Sequence, residues 1–98
     1  MLIKIHEAYR KLVAVCDSEI LGKKFIQGNM QLDLNPEFYG GKKMTEEGII
    51  GLFRELKEED STFNIVGKKS VNAALRAGII DDDSISKIKG IPFAISLL

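Results

Sequence analysis

The chain opens on two apolar stretches that are typical of β-strands. Residues 2–8 and 11–16 have strand length and are rich in β-branched side chains, with Tyr9 and Arg10 between them. This spacing predicts a β-hairpin whose tip is Tyr9-Arg10, although neither residue favours a tight turn. Residues 30–34 alternate strictly between apolar and polar side chains, which predicts a further strand with one buried face.

Two later segments have the spacing of amphipathic helices. Over residues 45–59, apolar side chains recur at every third or fourth position behind Thr45, which is a favourable N-cap. A second helix is predicted near residues 68–77, with Gly78 supplying the left-handed residue that ends many helices. One or two helical turns are also expected after Asp17, before Gly22 interrupts them.

The remaining segments are short strands and loops. Residues 38–43 contain paired glycines and are predicted to form a loop, whereas residues 63–66 form a strand. Residues 85–89 and 93–97 suggest a terminal hairpin turned by Gly90-Ile91-Pro92. The order ββ(α)βαβαββ predicts one α+β domain over residues 1–98, with a mixed or largely antiparallel sheet and two main helices.

Composition narrows the class of function. The chain has 98 residues, of which 45% are hydrophobic and 29% charged, the mix of an ordinary globular domain. Its 14 basic and 14 acidic side chains give no net charge. A dedicated duplex-DNA-binding protein needs a basic excess to neutralise phosphates, so that class is not expected.

Cysteine usage and hydropathy indicate a cytoplasmic protein. The lone Cys16 cannot form an intramolecular disulfide, which fits a reducing compartment. A lysine and a glutamate interrupt residues 1–7, so no signal peptide is expected there. No apolar run approaches the roughly 20 residues of a membrane span, and no contact with a membrane is expected.

One triplet, Gly-Lys-Lys, recurs at residues 22–24, 41–43 and 67–69. Glycine lets backbone amides approach an anion closely, and the lysines add positive charge. The third triplet is the best placed, because Gly67 joins a predicted strand to the amino end of a predicted helix. The alternative is that these are solubilising loop lysines beside turn glycines.

Charge is unevenly distributed along the chain. Residues 45–62 contain 2 basic and 6 acidic side chains, whereas residues 1–44 contain 7 and 5, and residues 63–98 contain 5 and 3. A neutral molecule with segregated charge can still attract an anion to one face. The predicted phosphate contacts are Lys23, Lys24, Lys42, Lys43, Gly67, Lys68 and Lys69.

Aromatic side chains accompany the second triplet. Tyr39, next to Phe38, is a potential stacking residue for an RNA base, beside the lysines that would contact phosphate. The alternative is that this pair anchors its loop to the hydrophobic core.

The polar residues near the first hairpin suggest no complete catalytic site. With Tyr9-Arg10 as the tip, His6 faces Val13 and Cys16 faces Ile3, which puts His6 and Cys16 on opposite faces. Cys16 is then a core residue, lying with Ile3 and Ile5. His6, with Lys4, is expected to be a surface residue that contacts a ligand or partner.

Asp17 and Glu19 follow a strand, a position where enzymes often place acids. No further ligands occur at a recognisable spacing, so neither a metal site nor a cofactor is expected. Asp81, Asp82 and Asp83 lack the glycine and the closing glutamate of a calcium-binding loop.

Several short motifs, in order, give the chain a family resemblance. They are Lys4-Ile5-His6, Val15-Cys16-Asp17, Gly22-Lys23, Phe38-Tyr39-Gly40-Gly41, Asn64-Ile65-Val66-Gly67 and Gly90-Ile91-Pro92. Together they resemble an archaeal family known as domain of unknown function 424. The resemblance implies a cytoplasmic archaeal α+β protein. It implies no activity, and it provides no functional residues to carry over.

Three functional hypotheses follow from the sequence. The first is a non-enzymatic accessory module, linked to translation, that binds RNA or a ribonucleoprotein through the Gly-Lys-Lys loops. The second is a protein–protein adaptor or homodimer that uses an open edge of the sheet. The third is a small enzyme or ligand-binding protein with a site near Asp17.

Overall fold

The computed structural model describes residues 1–97, the last of them by its backbone alone. This part of the chain forms eight strands, three α-helices and two short 3-10 turns. The strands are β1 Leu2–His6, β2 Lys11–Cys16, β3 Lys24–Gln27, β4 Met30–Asp33, β5 Lys42–Lys43, β6 Ser61–Val66, β7 Ser86–Ile88 and β8 Ile91–Leu97; the helices are α1 Pro36–Tyr39, α2 Glu46–Lys57 and α3 Lys68–Ala77.

Six of the strands form one mixed sheet in the order β5-β1-β2-β6-β8-β7, and β3 and β4 form a separate hairpin. Neighbouring strands of the large sheet are antiparallel except β2 and β6, which run parallel. Helix α2 lies between these two strands in the chain, as a parallel pair requires a crossover connection. The α+β class predicted from the sequence is confirmed.

The two faces of the sheet carry separate apolar clusters. Side chains of β2 and β6 that face α2 and α3 pack with Ile49, Phe53 and Val71 of these helices. On the other face, Cys16 and Val66 pack with Leu34 and with residues of α1 and the β3–β4 hairpin. Phe53 and Phe63 meet edge to face, with ring centroids 5.7 Å apart, at the centre of the first cluster.

Helix α2 begins as its residues predict, but it contains two glycines. The Thr45 hydroxyl accepts a bond from the Gly48 amide at 3.1 Å, which confirms Thr45 as the N-cap. A glycine inside a helix costs roughly 0.5–1 kcal/mol relative to alanine. The conformation of Gly51 gives no reason for this cost, because its φ is not positive and a Cβ there would meet nothing within 4 Å.

The acidic carboxyl end of α2 is compensated by β2 and the turn that precedes it. Glu58, Glu59 and Asp60 lie where the helix dipole disfavours negative charge. Lys11 bonds to Glu59 at 2.6 Å, and Arg10 bonds to Asp60 at 2.8 Å. These ion pairs put opposite charges beside the acids at this end of the molecule.

Several predicted boundaries were wrong. The segment 38–43 is not a loop, because residues up to Tyr39 belong to α1 and Lys42 and Lys43 form β5. Strand β3 was not predicted at all. The terminal hairpin turns at Lys89-Gly90, one residue earlier than expected, with β7 at Ser86–Ile88 and β8 from Ile91.

The predicted register of the first hairpin was also wrong, by one residue. His6 pairs with Leu12 and Leu2 pairs with Cys16, so five residues separate the innermost pair, an odd number where the predicted two-residue tip is even. A shift of one residue reverses the face of every side chain in one strand relative to the other. His6 and Cys16 therefore point to the same face, and Cys16 lies on the opposite face from Ile3.

Candidate anion-binding surface

The parallel pairing of β2 and β6 brings several chain segments to one edge of the sheet. Both strands end there, with Cys16 opposite Val66. Leu2 of β1 pairs with Cys16, and Lys43 of β5 pairs with Leu2. We call this side, where β2 and β6 end, the carboxyl edge. Ligands of open α/β sheets commonly bind at such an edge.

Asp17 leaves the carboxyl edge and caps the amino end of α3. Its side chain is 5% exposed and accepts bonds from the Lys69 amide at 3.1 Å and the Ser70 amide at 2.8 Å. The Ser70 hydroxyl donates a third bond at 2.8 Å. A carboxylate at a helix amino end satisfies unpaired amides and complements the helix dipole.

Gly67 gives Asp17 the room to do this. It has a φ of 112°, which side-chain-bearing residues rarely adopt, and its amide donates to the Pro92 carbonyl at 2.8 Å. A Cβ at this position would overlap the Asp17 carboxylate. Gly67 therefore makes room for the Asp17 carboxylate of the same chain. That carboxylate occupies the place where the sequence suggested an external phosphate.

The lysines of the third triplet remain exposed beside this cap. Lys68 and Lys69 line a groove of about 720 Å³ between the amino ends of α2 and α3, together with Met1 and Met44. Lys69 has the carboxylate of Glu19 at 4.0 Å, on the 3-10 turn that follows Asp17. An external anion here would contact lysine side chains and not the Lys69 and Ser70 amides, which Asp17 occupies.

The second triplet comes directly before Met44, which lines the same groove. Lys42 and Lys43 form β5, and both are exposed at the outer edge of the sheet. Lys43 precedes Met44, whose amide donates to the Met1 carbonyl at 2.9 Å. Gly41 is required because a Cβ there would overlap the Ile3 carbonyl. The second and third triplets thus lie on either side of the amino end of β1.

The first triplet also starts at the carboxyl edge. Gly22 follows the 3-10 turn Ser18–Ile20, and its amide donates to the Leu34 carbonyl at 2.7 Å. Lys23 and Lys24 are exposed where the β3–β4 hairpin begins. The hairpin then crosses toward β7, where Gln27 accepts a bond from the Lys89 amide at 2.7 Å.

Two further lysines lie at this edge that the sequence did not single out. Lys87 pairs with Pro92, whose carbonyl accepts the Gly67 amide, and Lys89 occupies the turn that follows. Both are exposed. Placing these two lysines at the carboxyl edge requires both the hairpin turn at Lys89-Gly90 and the pairing of β8 with β6. The sequence predicts a turn nearby but not this pairing.

The lysines at the carboxyl edge differ from the others in their contacts. Elsewhere, Lys4 bonds to the Glu37 carbonyl, Lys11 to Glu59 and Lys57 to the Gly78 carbonyl, at 2.6, 2.6 and 3.1 Å. The lysines at the carboxyl edge are Lys23, Lys24, Lys42, Lys43, Lys68, Lys69, Lys87 and Lys89. Within residues 1–97, only Lys69 of these has a carboxylate within 4.0 Å.

The helix dipoles add to this polarity. Helices α2 and α3 both begin at the carboxyl edge, so the positive ends of their dipoles point there. The opposite end carries Glu58, Glu59 and Asp60. The carboxyl edge therefore combines exposed lysines with the amino ends of two helices, while Glu46 and Glu47 also lie in the first turn of α2.

Comparison with known proteins assigns the chain to a family. The family model described as "Protein of unknown function (DUF424)" matches residues 5–97. The chain belongs to the DUF424 family. No curated protein matches it. A crystal structure of an uncharacterised conserved protein from Methanopyrus kandleri has a TM-score of 0.86 and 25% identity over 96% of this chain and 87% of that one.

Tyr39 of this DUF424 chain is not placed to stack on an RNA base. Tyr39 is only 6% exposed, and its hydroxyl donates to Asn64 at 3.1 Å. Burial, followed by the nearby Cys16 and Asp33, raises the pKa of Tyr39 to about 12. Tyr39 therefore anchors α1 to the sheet and has no free ring face for an RNA base.

His6 also serves α1. Its Nε2 donates to the Phe38 carbonyl at 2.8 Å, and the two rings stack with centroids 4.8 Å apart. Lys4, two residues earlier on the same strand face, bonds to the Glu37 carbonyl. These two side chains satisfy carbonyls at the end of α1, which is a structural role.

His6 and Cys16 share a face but are too far apart to react together. Leu2, opposite Cys16, is four residues from His6, which corresponds to about 13 Å along the strand. Burial, and secondarily the Asp17 charge, raises the pKa of the Cys16 thiol to about 11. In the DUF424 chain as described to residue 97, no three His, Cys, Asp or Glu side chains are placed to hold a metal.

Membrane insertion through a helix finds no support in this fold. None of the helices described for residues 1–97 has both the length and the apolar character to span a bilayer.

Proposed function

We propose that this protein is a non-enzymatic RNA- or ribonucleoprotein-binding module of the cytoplasm that contacts phosphates through the carboxyl edge. One observation supports the proposal above all. The exposed lysines gather at one edge, and all but Lys69 lack a carboxylate partner within residues 1–97, whereas Lys4, Lys11 and Lys57 are engaged elsewhere. Unpaired lysines on one face are what a phosphate backbone requires.

The chemistry of this edge favours backbone contacts over base recognition. Lysine is a point charge that neutralises phosphate without reading sequence. Tyr39 is buried, so the proposal includes no base stacking by that residue. Affinity for RNA is therefore expected to be moderate, weakly dependent on sequence and strongly dependent on salt.

We place the proposed role in translation, and the RNA probes are chosen accordingly. Fluorescence anisotropy would be measured with a labelled oligouridine strand and with a ribosomal RNA fragment, between about 50 and 200 mM salt. The logarithm of the association constant should fall linearly with the logarithm of salt concentration. The slope is expected to be about −0.7 for each phosphate contacted on a single strand.

Charge reversal would locate the contact. Lys43→Glu and Lys68→Glu should each weaken RNA binding several-fold and reduce the salt slope by roughly 0.7 or more. Arg54→Glu is the matched control, because Arg54 is exposed on α2 toward the acidic end and makes the same change in net charge. Equal losses in all three variants, or an affinity that does not depend on salt, would contradict the proposal.

The alternative of a ligand site at Asp17 loses its main support. The Asp17 carboxylate already accepts three hydrogen bonds and is buried. Recruiting it for a ligand would leave the amides at the amino end of α3 without a partner, which is costly for buried groups. Glu19 is exposed and lies beside Lys69.

A further inference from the structure

A second surface lies beside the outer edge of β1, away from the α3 cap. A groove of about 640 Å³ separates this edge from α2. Ile5, Met44 and Leu52 contribute its apolar side chains, and Gly48 and Gly51 of α2 face it without side chains. Ile5 is 36% exposed here. The groove is therefore apolar, open and formed by a strand on one side and a helix on the other.

The backbone of β1 is incompletely paired along this groove. Strand β5 pairs only with Leu2 and Ile3. Met1 and Met44 exchange two bonds, N–H of Met44 to O of Met1 at 2.9 Å and the reverse at 3.4 Å. Bonding in an antiparallel pair alternates residue by residue, so the N–H and C=O of Ile5 point outward, beyond the end of β5. An extended segment could bond to them.

Gly51 keeps the groove empty. A Cβ at Gly51 would meet no atom within 4 Å, so neither packing nor backbone conformation requires glycine at this position of a helix. Its effect is to leave space opposite Ile5. A side chain from an added strand would enter that space, on the face of the sheet that α2 covers.

Charge on the helix side of the groove selects the added strand. Glu47 and Glu55 lie on α2 at its rim. Glu47 has a guanidinium nitrogen of Arg76 at 3.5 Å, whereas Glu55 has no ion pair within residues 1–97. The acidic run Glu58 to Asp60 follows close by in the chain. Lys42 lines the strand side of the groove, and a basic side chain of the added strand is the complement of the acidic helix wall.

We propose that the groove binds an extended segment of a partner protein as an additional strand beside β1. The segment bonds to the Ile5 backbone, places alternate apolar side chains over Gly51 and Leu52, and directs a basic side chain to Glu55. This is β-strand addition, in which main-chain bonds supply affinity and alternate side chains supply specificity. The proposal does not require RNA binding, although Lys42 of the carboxyl edge also lines this groove.

The probe is the synthetic peptide Lys-Thr-Val-Thr-Val-Thr-Lys, whose valines and lysines share one face of a strand in either orientation. Calorimetric titration with the full chain should show binding. Gly51→Leu fills the groove with a good helix former and should weaken binding by about tenfold or more. Arg54→Leu also introduces a leucine on α2, but at a position outside the groove, and it should leave the affinity unchanged.

A charge exchange tests the proposed contact with Glu55. Glu55→Lys should weaken the lysine peptide and strengthen Glu-Thr-Val-Thr-Val-Thr-Glu, a reversal that misfolding cannot produce. Amide hydrogen exchange provides the backbone test, because the Ile5 N–H should become protected when the peptide is bound. Binding without Ile5 protection, or unaffected by Gly51→Leu, overturns the proposal, as does failure of both peptides to bind.

Two other occupants are distinguished in the same experiments. If a second copy of the chain fills the groove, sedimentation will show a dimer that Gly51→Leu dissociates, and the partner proposal is then wrong. If RNA fills it, Gly51→Leu will reduce oligouridine affinity, which again contradicts the proposal. Unchanged RNA affinity in Gly51→Leu, together with lost peptide binding, supports two separate surfaces.

Discussion

Asp17 and Gly67 depend on one another for a single contact. The carboxylate fits against α3 only because no Cβ stands at Gly67, and the amides at the amino end of α3 are satisfied only because the carboxylate is there. The neighbouring Cys16 is fully buried for a different reason, because it packs with Leu34 on the other face of the sheet. The chemistry of this edge is therefore set by contacts within the chain.

Burial of Cys16 should make the protein sensitive to alkali. Its pKa rises from 9.0 in the unfolded chain to about 11 in the folded protein, so the thiol stays protonated up to a higher pH when the chain is folded. Above pH 9 the unfolded state loses its proton first, and stability falls as pH rises toward 11. The loss should be about 2 kcal/mol by proton linkage, measured as the free energy of unfolding in urea.

Cys16→Ala provides the control for this effect. The variant should be less stable at neutral pH because it leaves a small cavity, but its stability should depend less on pH between 9 and 11. Tyr39 contributes from about pH 10 upward, since its pKa moves from 10.0 to about 12, so the effect of Cys16 is seen most clearly between pH 9 and 10. An unchanged alkaline profile in Cys16→Ala would show that another group is responsible.

Among the elements, α2 contains a residue, Gly51, that is unfavourable for a helix. Its apolar stripe packs through Ile49, Phe53 and Leu56, and Thr45 caps it, yet Gly51 lowers its intrinsic helix propensity. A helix is normally stabilised by packing, which tolerates such a residue. The glycine is consistent with a groove that has to remain open.

Replacing Gly51 by alanine should stabilise the free protein. The substitution adds helix propensity and meets no steric obstacle, so the free energy of unfolding should rise by roughly 0.5–1 kcal/mol in urea titrations. The matched change Gly67→Ala should have the opposite sign and cost at least about 1–3 kcal/mol, because φ is 112° there and the new Cβ meets Asp17. Destabilisation by Gly51→Ala would indicate a hidden packing role.

At the scale of the whole molecule, one sheet is shared by two apolar clusters. Phe53 belongs to the cluster under α2 and α3, and Leu34 belongs to the cluster under α1 and the β3–β4 hairpin. Both are fully buried. Since β2 and β6 contribute side chains to both clusters, neither face can lose its packing without disturbing the strands of the other.

The chain should therefore unfold in one step. Phe53→Ala and Leu34→Ala should each lower the free energy of unfolding by about 2–5 kcal/mol, with coincident transitions by circular dichroism and by tyrosine fluorescence. Ile26→Ala is a suitable control because Ile26 is 54% exposed on the hairpin. Two separate transitions in the Leu34→Ala variant would mean that the hairpin face folds independently.

Local patterns in the sequence predicted the helices well. The apolar spacing behind Thr45 and the terminal Gly78 located α2 and α3 within about two residues, because these signals act over single helical turns. The helical turn at Pro36–Tyr39 also has a local signal, because Asn35 is a favourable N-cap directly before proline.

Long-range pairing could not be predicted in the same way. Lys42 and Lys43 have no strand pattern and become β5 only because the edge of β1 is available to them. The site shows the same limit. Which edge collects the lysines depends on the parallel pairing of β2 with β6, and the bond from Asp17 to α3 joins segments with no shared local pattern.

The Asp17 cap also has a consequence for the order of folding. Its bonds connect residues 52 and 53 positions apart, so loop closure precedes them. The amino end of α3 gains its cap only when β2 and β6 lie side by side. Formation of the first turn of α3 is therefore coupled to completion of the sheet, and this turn is stabilised only after the sheet has formed. The amino end of α3 should be among the last parts of the chain to become ordered.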